Sequence, residues 1–287
     1  GGGTVYLPAG DYLIEGTLYT HRDSYDENDI LSPLEIKGET PVSGDLYNAK
    51  RKHVTRLIKK NKGVILAVNY TPTKESVTPS ASVYRNLTVR NLAFYGSGEM
   101  DPKYTKVFAK VEETTGIEMH NAAITLEDSI FWTLSKGVAQ PEKVNDFDNY
   151  CDQSVYRRLA FYNIGHTWLE LQRSDATTIE QINGYDMAKT AKYGIYARKG
   201  ESFAMNEVLV AGKAMHLAKD FSLISLHHTN NTTIRDLYAE RVEGTLIKMD
   251  HATNVSINGL SVRHYGNTYI NGVASKNVDI QNVLVHI

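Results

Sequence analysis

The sequence predicts an all-β chain wound as one solenoid domain over residues 1–287. Three observations predict it. First, five segments align without gaps: LELQRSDATTI (169–179), IYARKGESFAM (195–205), ISLHHTNNTTI (224–234), IKMDHATNVSI (247–257) and INGVASKNVDI (270–280). Repeats of this length mark stacked-coil architectures. Second, apolar and polar residues alternate within each segment, as in a half-buried strand. A further apolar residue follows each one: Ile182, Val208, Leu237, Leu260 and Val283. Third, all seven prolines (8, 33, 41, 72, 79, 102 and 141) precede Glu142. Proline cannot donate to a ladder, so a proline-free half suits long uninterrupted ones.

The elements of the second half follow from the alignment. Its segments start 26, 29, 23 and 23 residues apart, one coil each, with coils rising by about 4.8 Å. A weaker copy, IEMHNAAITL (117–126), starts 52 residues before Leu169, which leaves room for an intermediate coil near Gly137-Val138. The eighth column reads Ala176, Ser202, Asn231, Asn254, Asn277. Three successive asparagines at one corner can hydrogen-bond up the stack.

That corner resembles the right-handed parallel β-helices of the pectate-lyase-like superfamily. The opening GGGTVYLPAGDYLI is similar to the first strand of that superfamily, with TVYL and YLI as strands and Pro-Ala-Gly as the corner. LEIKGET (34–40), TRLI (55–58), GVILAV (63–68) and NLTVRNLAFYG (86–96) resemble the succeeding coils. The resemblance implies a single-stranded right-handed parallel β-helix. Residues 1–100 are irregular opening coils with insertions, and 101–287 are regular coils. A capping helix normally precedes the glycines in that superfamily, and the last residues, NVLVHI, read as a strand without a cap. The expectation is therefore a fragment of a longer chain, incomplete at both ends.

Composition limits the function. Hydrophobic residues at 41% and charged ones at 22% fit a soluble globular protein. A net charge of −2 argues against a general binder of nucleic acid or anionic membranes. No apolar run reaches the roughly 18 residues of a membrane span, and the N-terminus lacks signal-peptide form. Cys151 is alone, so no internal disulfide holds the fold. Tyrosine is abundant, 18 against 7 Phe and 2 Trp, which suits wet surfaces and sugar faces.

Candidate chemistry lies in the columns. The fourth reads Gln172, Arg198, His227, Asp250, Val273, and the fifth Arg173, Lys199, His228, His251, Ala274. Together they form a polar, partly basic strip that His120 extends and that suits an anionic or polyhydroxyl polymer. His227 and Asp250 stand one coil apart, as an acid/base pair. With His228 and His251 the alternative is a metal site, although no recognised metal spacing occurs and no cofactor is expected. Asp175 and Glu201 form a carboxylate pair on adjacent coils, and Glu207 and Asp236 another one face away. In FYNIGHTWLELQRSD (161–175), His166, Trp168 and Glu170 alternate and are expected on one side of a strand, with Trp168 and Tyr196 as sugar contacts and Glu170 as acid or base. The loop AQPEKVNDFDNYCD (139–152) is acidic and aromatic, and residues 20–33 form a second acidic insertion. The basic segment 48–62 reads as solvated surface.

The polygalacturonase signatures NTD, DD and GHG are absent, as are the pectate-lyase runs WxDH and RxPxxR. The resemblance then points toward the β-helical tailspikes and appendages of bacteriophages, which are usually trimers and bind and cut capsule, exopolysaccharide or teichoic acid. The expected setting is a virion tail or the extracellular space, with hydrolysis favoured over lysis of the polymer. Two alternatives stand beside it: a secreted bacterial lyase or hydrolase, and a non-catalytic glycan-binding adhesin.

Overall fold

The computed structural model describes residues 3–20, 33–40, 53–68, 84–96, 111, 113–144, 147–212, 218–265 and 268–286. Most of the acidic insertion at 20–33, the start of the basic segment at 48–52, and residues 145–146 of the 139–152 loop lie outside the described residues. Among the described residues the chain is a parallel β-helix. Its strands form a 13-stranded and a nine-stranded sheet, with one small antiparallel pair, Lys143–Val144 with Phe147–Asp148.

The register between coils is that of the gapless alignment. On the nine-stranded sheet Leu169 pairs with Ile195, Ile195 with Ile224, Ile224 with Ile247, and Ile247 with Ile270. The weaker copy also fits: Ile117 pairs with Val138, and Val138 with Leu169. The opening coils contain strands Gly3–Leu7, Gly10–Leu13, Leu34–Gly38, Thr55–Ile58, Gly63–Val68, Tyr84–Arg90 and Leu92–Tyr95, in the expected order. Gly10 adopts φ 155°, in the region that favours glycine, at the Pro-Ala-Gly corner. The basic segment is not all solvated. Lys59 is buried, and its ammonium donates to the carbonyls of Glu15 and Gly16.

Each regular coil turns at residues in the left-handed region. The fifth column (Arg173, Lys199, His228, His251, Ala274) and the eighth (Ala176, Ser202, Asn231, Asn254, Asn277) all have φ of 49–59°. A third set bends the long strands: Asp128, Arg158, Gln181, Glu207, Asp236 and Asn282. Asparagine tolerates this conformation better than most residues. Its side chains also form the expected ladder: Asn277 Nδ2 donates to Asn254 Oδ1 at 2.9 Å, and Asn254 Nδ2 to Asn231 Oδ1 at 3.1 Å.

The core alternates large and small residues. Phe94, Phe131 and Phe161 stack at 4.9 and 5.0 Å between ring centroids, and Trp168 continues the column at 5.6 Å. Opposite Phe131 and Phe161 the nine-stranded sheet carries Gly116 and Gly137, where a Cβ would meet those rings. At the Trp168 coil the pattern inverts. The indole comes from the nine-stranded sheet, and Gly184 on the long strand vacates the space.

Candidate functional site

The short strands Thr167–Gln172, Tyr193–Arg198, Ser222–His227 and Thr245–Asp250 place their fourth-column side chains outward. An open groove of about 270 Å³ lies on this face, lined by His166, Thr167, Glu170, Gln172, Lys192, Tyr193 and Tyr196. Glu170 ion-pairs with Lys136 on the preceding coil, and Gln172 Nε2 donates to Glu170 Oε1 at 3.4 Å. The rings run on in sequence: His166 edge-on to Tyr193 at 6.1 Å, Tyr193 to Tyr196 at 4.9 Å, and Tyr196 to His227 at 5.1 Å. Burial pulls the His166 imidazole below its ordinary value, with Lys136 adding to the effect, and pushes the Tyr196 phenol up.

Past Tyr196 the polar row continues. His227 Nδ1 lies 3.3 Å from Asp250 Oδ2, and its Nε2 lies 3.0 Å from Ser225 Oγ. His251 Nδ1 lies 2.6 Å from the other Asp250 oxygen. His251 holds the Asp250 carboxyl below the usual carboxylate range. Burial lowers His227, and Asp250 opposes that shift. Ser225, His227 and Asp250 have the connectivity of a nucleophilic relay. Ser225 is fully buried, which withholds its hydroxyl from a substrate, so the row orients His227 instead. His228 and His251 stack at 4.8 Å. Among the described residues no group of three or more His, Cys, Asp or Glu side chains is arranged to hold a metal ion.

The cations of the strip are taken up by the 139–152 loop. Glu142 accepts from Arg198 Nη1 and Lys199 Nζ, both at 2.7 Å, and Asp148 pairs with Arg173 at 2.8 Å. Lys199 foremost keeps the Glu142 carboxyl low. The loop is anchored from inside. Buried Gln140 donates to the Asn149 carbonyl and accepts from Gln172 N and Ser174 Oγ. Asn149 in turn donates to the carbonyls of Met119 and Pro141. His120 pairs with Glu118 at 2.7 Å.

One expectation is corrected. Trp168 does not share a face with His166 and Glu170. It is fully buried, with its indole N–H directed at Met187 Sδ at 3.0 Å. Strict alternation breaks at the start of every short strand, where two consecutive residues turn inward: Trp168-Leu169, Gly194-Ile195, Leu223-Ile224 and Leu246-Ile247. Asp175 and Glu201 adjoin on neighbouring coils as expected, and Asp175 Oδ1 accepts the Glu201 backbone N–H at 2.7 Å. Tyr193, which lines the groove, and Lys136, which pairs with Glu170 there, were missed. Lys136 pairs in register with Thr167, and Thr167 with Tyr193. The 31-residue step from Val138 to Leu169 hid that column in the sequence.

No protein family matches the chain in sequence, and no curated protein does. In three dimensions the chain is similar to tailspike protein 3 of bacteriophage CBA120, at 10% identity and TM-score 0.47, over 100% of this chain and 53% of that one. It is similar to ORF18 of Geobacillus virus E2, at 9% and 0.42, over 96% and 52%. It is also similar to the catalytic domain of a GH87 alpha-1,3-glucanase in complex with nigerose, at 10% and 0.39, over 97% and 61%. The chain thus spans about half the length of the two viral proteins.

Proposed function

We propose that this β-helix binds and hydrolyses a bacterial cell-surface polymer (capsule, exopolysaccharide or teichoic acid) as part of a trimeric bacteriophage tail spike or appendage. The observation that carries the catalytic reading is the open groove in which Glu170 faces a row of tyrosines leading to the His227–Asp250 pair. The phage setting and the trimer rest on the resemblance of the opening motif.

In this reading Glu170 takes a proton from water, whose oxygen attacks the anomeric carbon. The glycosidic C–O bond breaks, and the leaving oxygen takes a proton from the His227–Asp250 pair. Two coils on, Glu170 stands in register with Ser225, and His227 lies two residues further along that strand, about 12 Å from Glu170 at the backbone. Inverting glycosidases hold their two groups about 6.5–9.5 Å apart, so in this reading the two side chains lean toward each other across the groove. A lyase needs a cation to neutralise a uronate. Arg173, Arg198 and Lys199 are each held by a loop acid, which weakens those three as partners of a uronate and leaves Lys192 in the groove as the competing lyase cation. The ion pairing of Glu170 with Lys136 favours the second reading, a binding surface that cuts nothing.

The test is product release from purified surface polymers by wild type, Glu170→Gln and Asp250→Asn, read by mass spectrometry. Water-added fragments that disappear in Glu170→Gln are expected. Unsaturated sugars would make the protein a lyase, and binding without products would make it an adhesin.

A further inference from the structure

A second groove, of about 460 Å³, lies on the outer face of the 13-stranded sheet. We propose that it binds a linear polymer of amine-bearing sugars along the solenoid axis. This goes beyond the function proposed above and does not rest on it.

The groove has two walls built from different columns. One wall is the strand-bending corner: Arg158, Gln181, Glu207 and Asp236, one from each of four successive coils, all with φ of 51–54°. Flanking pairs fix their alignment, Asn206 with Arg235 and Val208 with Leu237 on either side of Glu207 and Asp236. The other wall is Asn183, Leu209 and Tyr238, which pair in register along the stack. Each wall therefore offers one side chain per coil, about every 4.8 Å. That rise is close to the length of one pyranose ring, so a chain lying along the axis advances by about one coil per sugar.

The charges select the ligand. Arg158 is the groove's cation, and two acids outside the groove already hold it. Its Nε and Nη2 donate to the two oxygens of Asp128, each at 2.8 Å, and Nη2 also donates to Glu127 at 3.0 Å. Glu207 accepts one bond, from Gln181 Nε2 at 2.9 Å. Among the described residues no lysine or arginine forms an ion pair with Glu207 or Asp236. Two carboxylates on adjacent coils thus face the groove without a countercharge. They attract ammonium groups and repel uronates and phosphates. Half-buried Tyr238, whose hydroxyl donates to Glu240 at 3.4 Å, presents a ring beside Leu209 for the apolar face of a sugar. The first groove differs in kind, because Lys192 lines it and Lys136 pairs with its carboxylate, Glu170.

The test is titration calorimetry with three hexamers: fully deacetylated chito-oligosaccharide, its N-acetylated form and oligogalacturonate. The proteins are wild type, Glu207→Gln/Asp236→Asn, Tyr238→Ala and Glu170→Gln. Gln181 and Asn282 already occupy the same left-handed corner, so the amide substitutions keep a conformation the fold uses. Wild type should bind the amine hexamer most tightly, and more weakly as salt rises. The double variant and Tyr238→Ala should each lose at least about tenfold, while Glu170→Gln binds as wild type. The proposal is overturned if wild type ignores the amine hexamer or prefers oligogalacturonate, or if the groove variants bind unchanged. Loss of binding in Glu170→Gln would place the ligand in the first groove and also overturn it, whatever product release shows.

Discussion

His227 and Asp250 meet across a single coil step, with Nδ1 3.3 Å from Oδ2, and Asp250 is shared with His251 on its other oxygen. Burial disfavours the imidazolium of His227, and the carboxylate partly restores it. An imidazole NMR titration should therefore put its midpoint below the ordinary value of about 6.5, and Asp250→Asn should lower it further. A midpoint that rises in the variant would remove Asp250 as its partner.

The same shift has a sign for activity and for stability. If His227 supplies the proton, turnover should increase as pH falls from about 8 toward its midpoint, because the acid form grows. The folded state binds this proton less readily than the unfolded chain. Between the two midpoints the unfolded state holds more protons, so stability rises with pH through that window and is lost as pH falls. Denaturant midpoints measured from pH 5 to 8, with and without His227→Gln, test this. A flat difference between the two proteins would contradict it.

The loop acid Glu142 occupies the cations that an anionic polymer would use. Glu142→Gln should release Arg198 and Lys199 and strengthen oligogalacturonate binding several-fold at low salt, an effect that disappears as salt screens it. Unchanged affinity would mean that the loop does not compete with ligand.

Trp168 fills the space that Gly184 leaves. Trp168→Ala should cost about 3–5 kcal/mol, and Gly184→Ala about 1–3 kcal/mol by overpacking. Combining Gly184→Ala with Trp168→Leu should recover part of the second loss in urea unfolding. Additive losses would show that the two sites do not share one volume.

Asn254 links three coils in the corner ladder, donating to Asn230 and Asn231 and accepting from Asn277. Asn254→Ala should cost roughly 1–2 kcal/mol, mostly from the left-handed backbone. Asn254→Gly should cost less, and equal losses would assign the effect to the side-chain bonds.

The coil register was readable because a parallel stack repeats its chemistry column by column. A gapless alignment of Leu169 with Ile195, Ile224, Ile247 and Ile270 is the hydrogen-bond register itself. The asparagine corner was readable for the same reason. Lys136 was not, since coils of unequal length place it opposite Thr167 with no constant spacing to reveal it.

By itself the sequence determined the all-β class, the parallel stacking, the corner asparagines and the set of polar side chains on each outer column. Repeated local chemistry carries all of these. Only the tertiary structure decided that Trp168 turns inward, that Glu142 and Asp148 take up the strip's cations, and that Glu207 and Asp236 line a groove without a countercharge. Those outcomes depend on packing between different coils and on a loop that reaches two coils away, contacts that no single strand's pattern encodes.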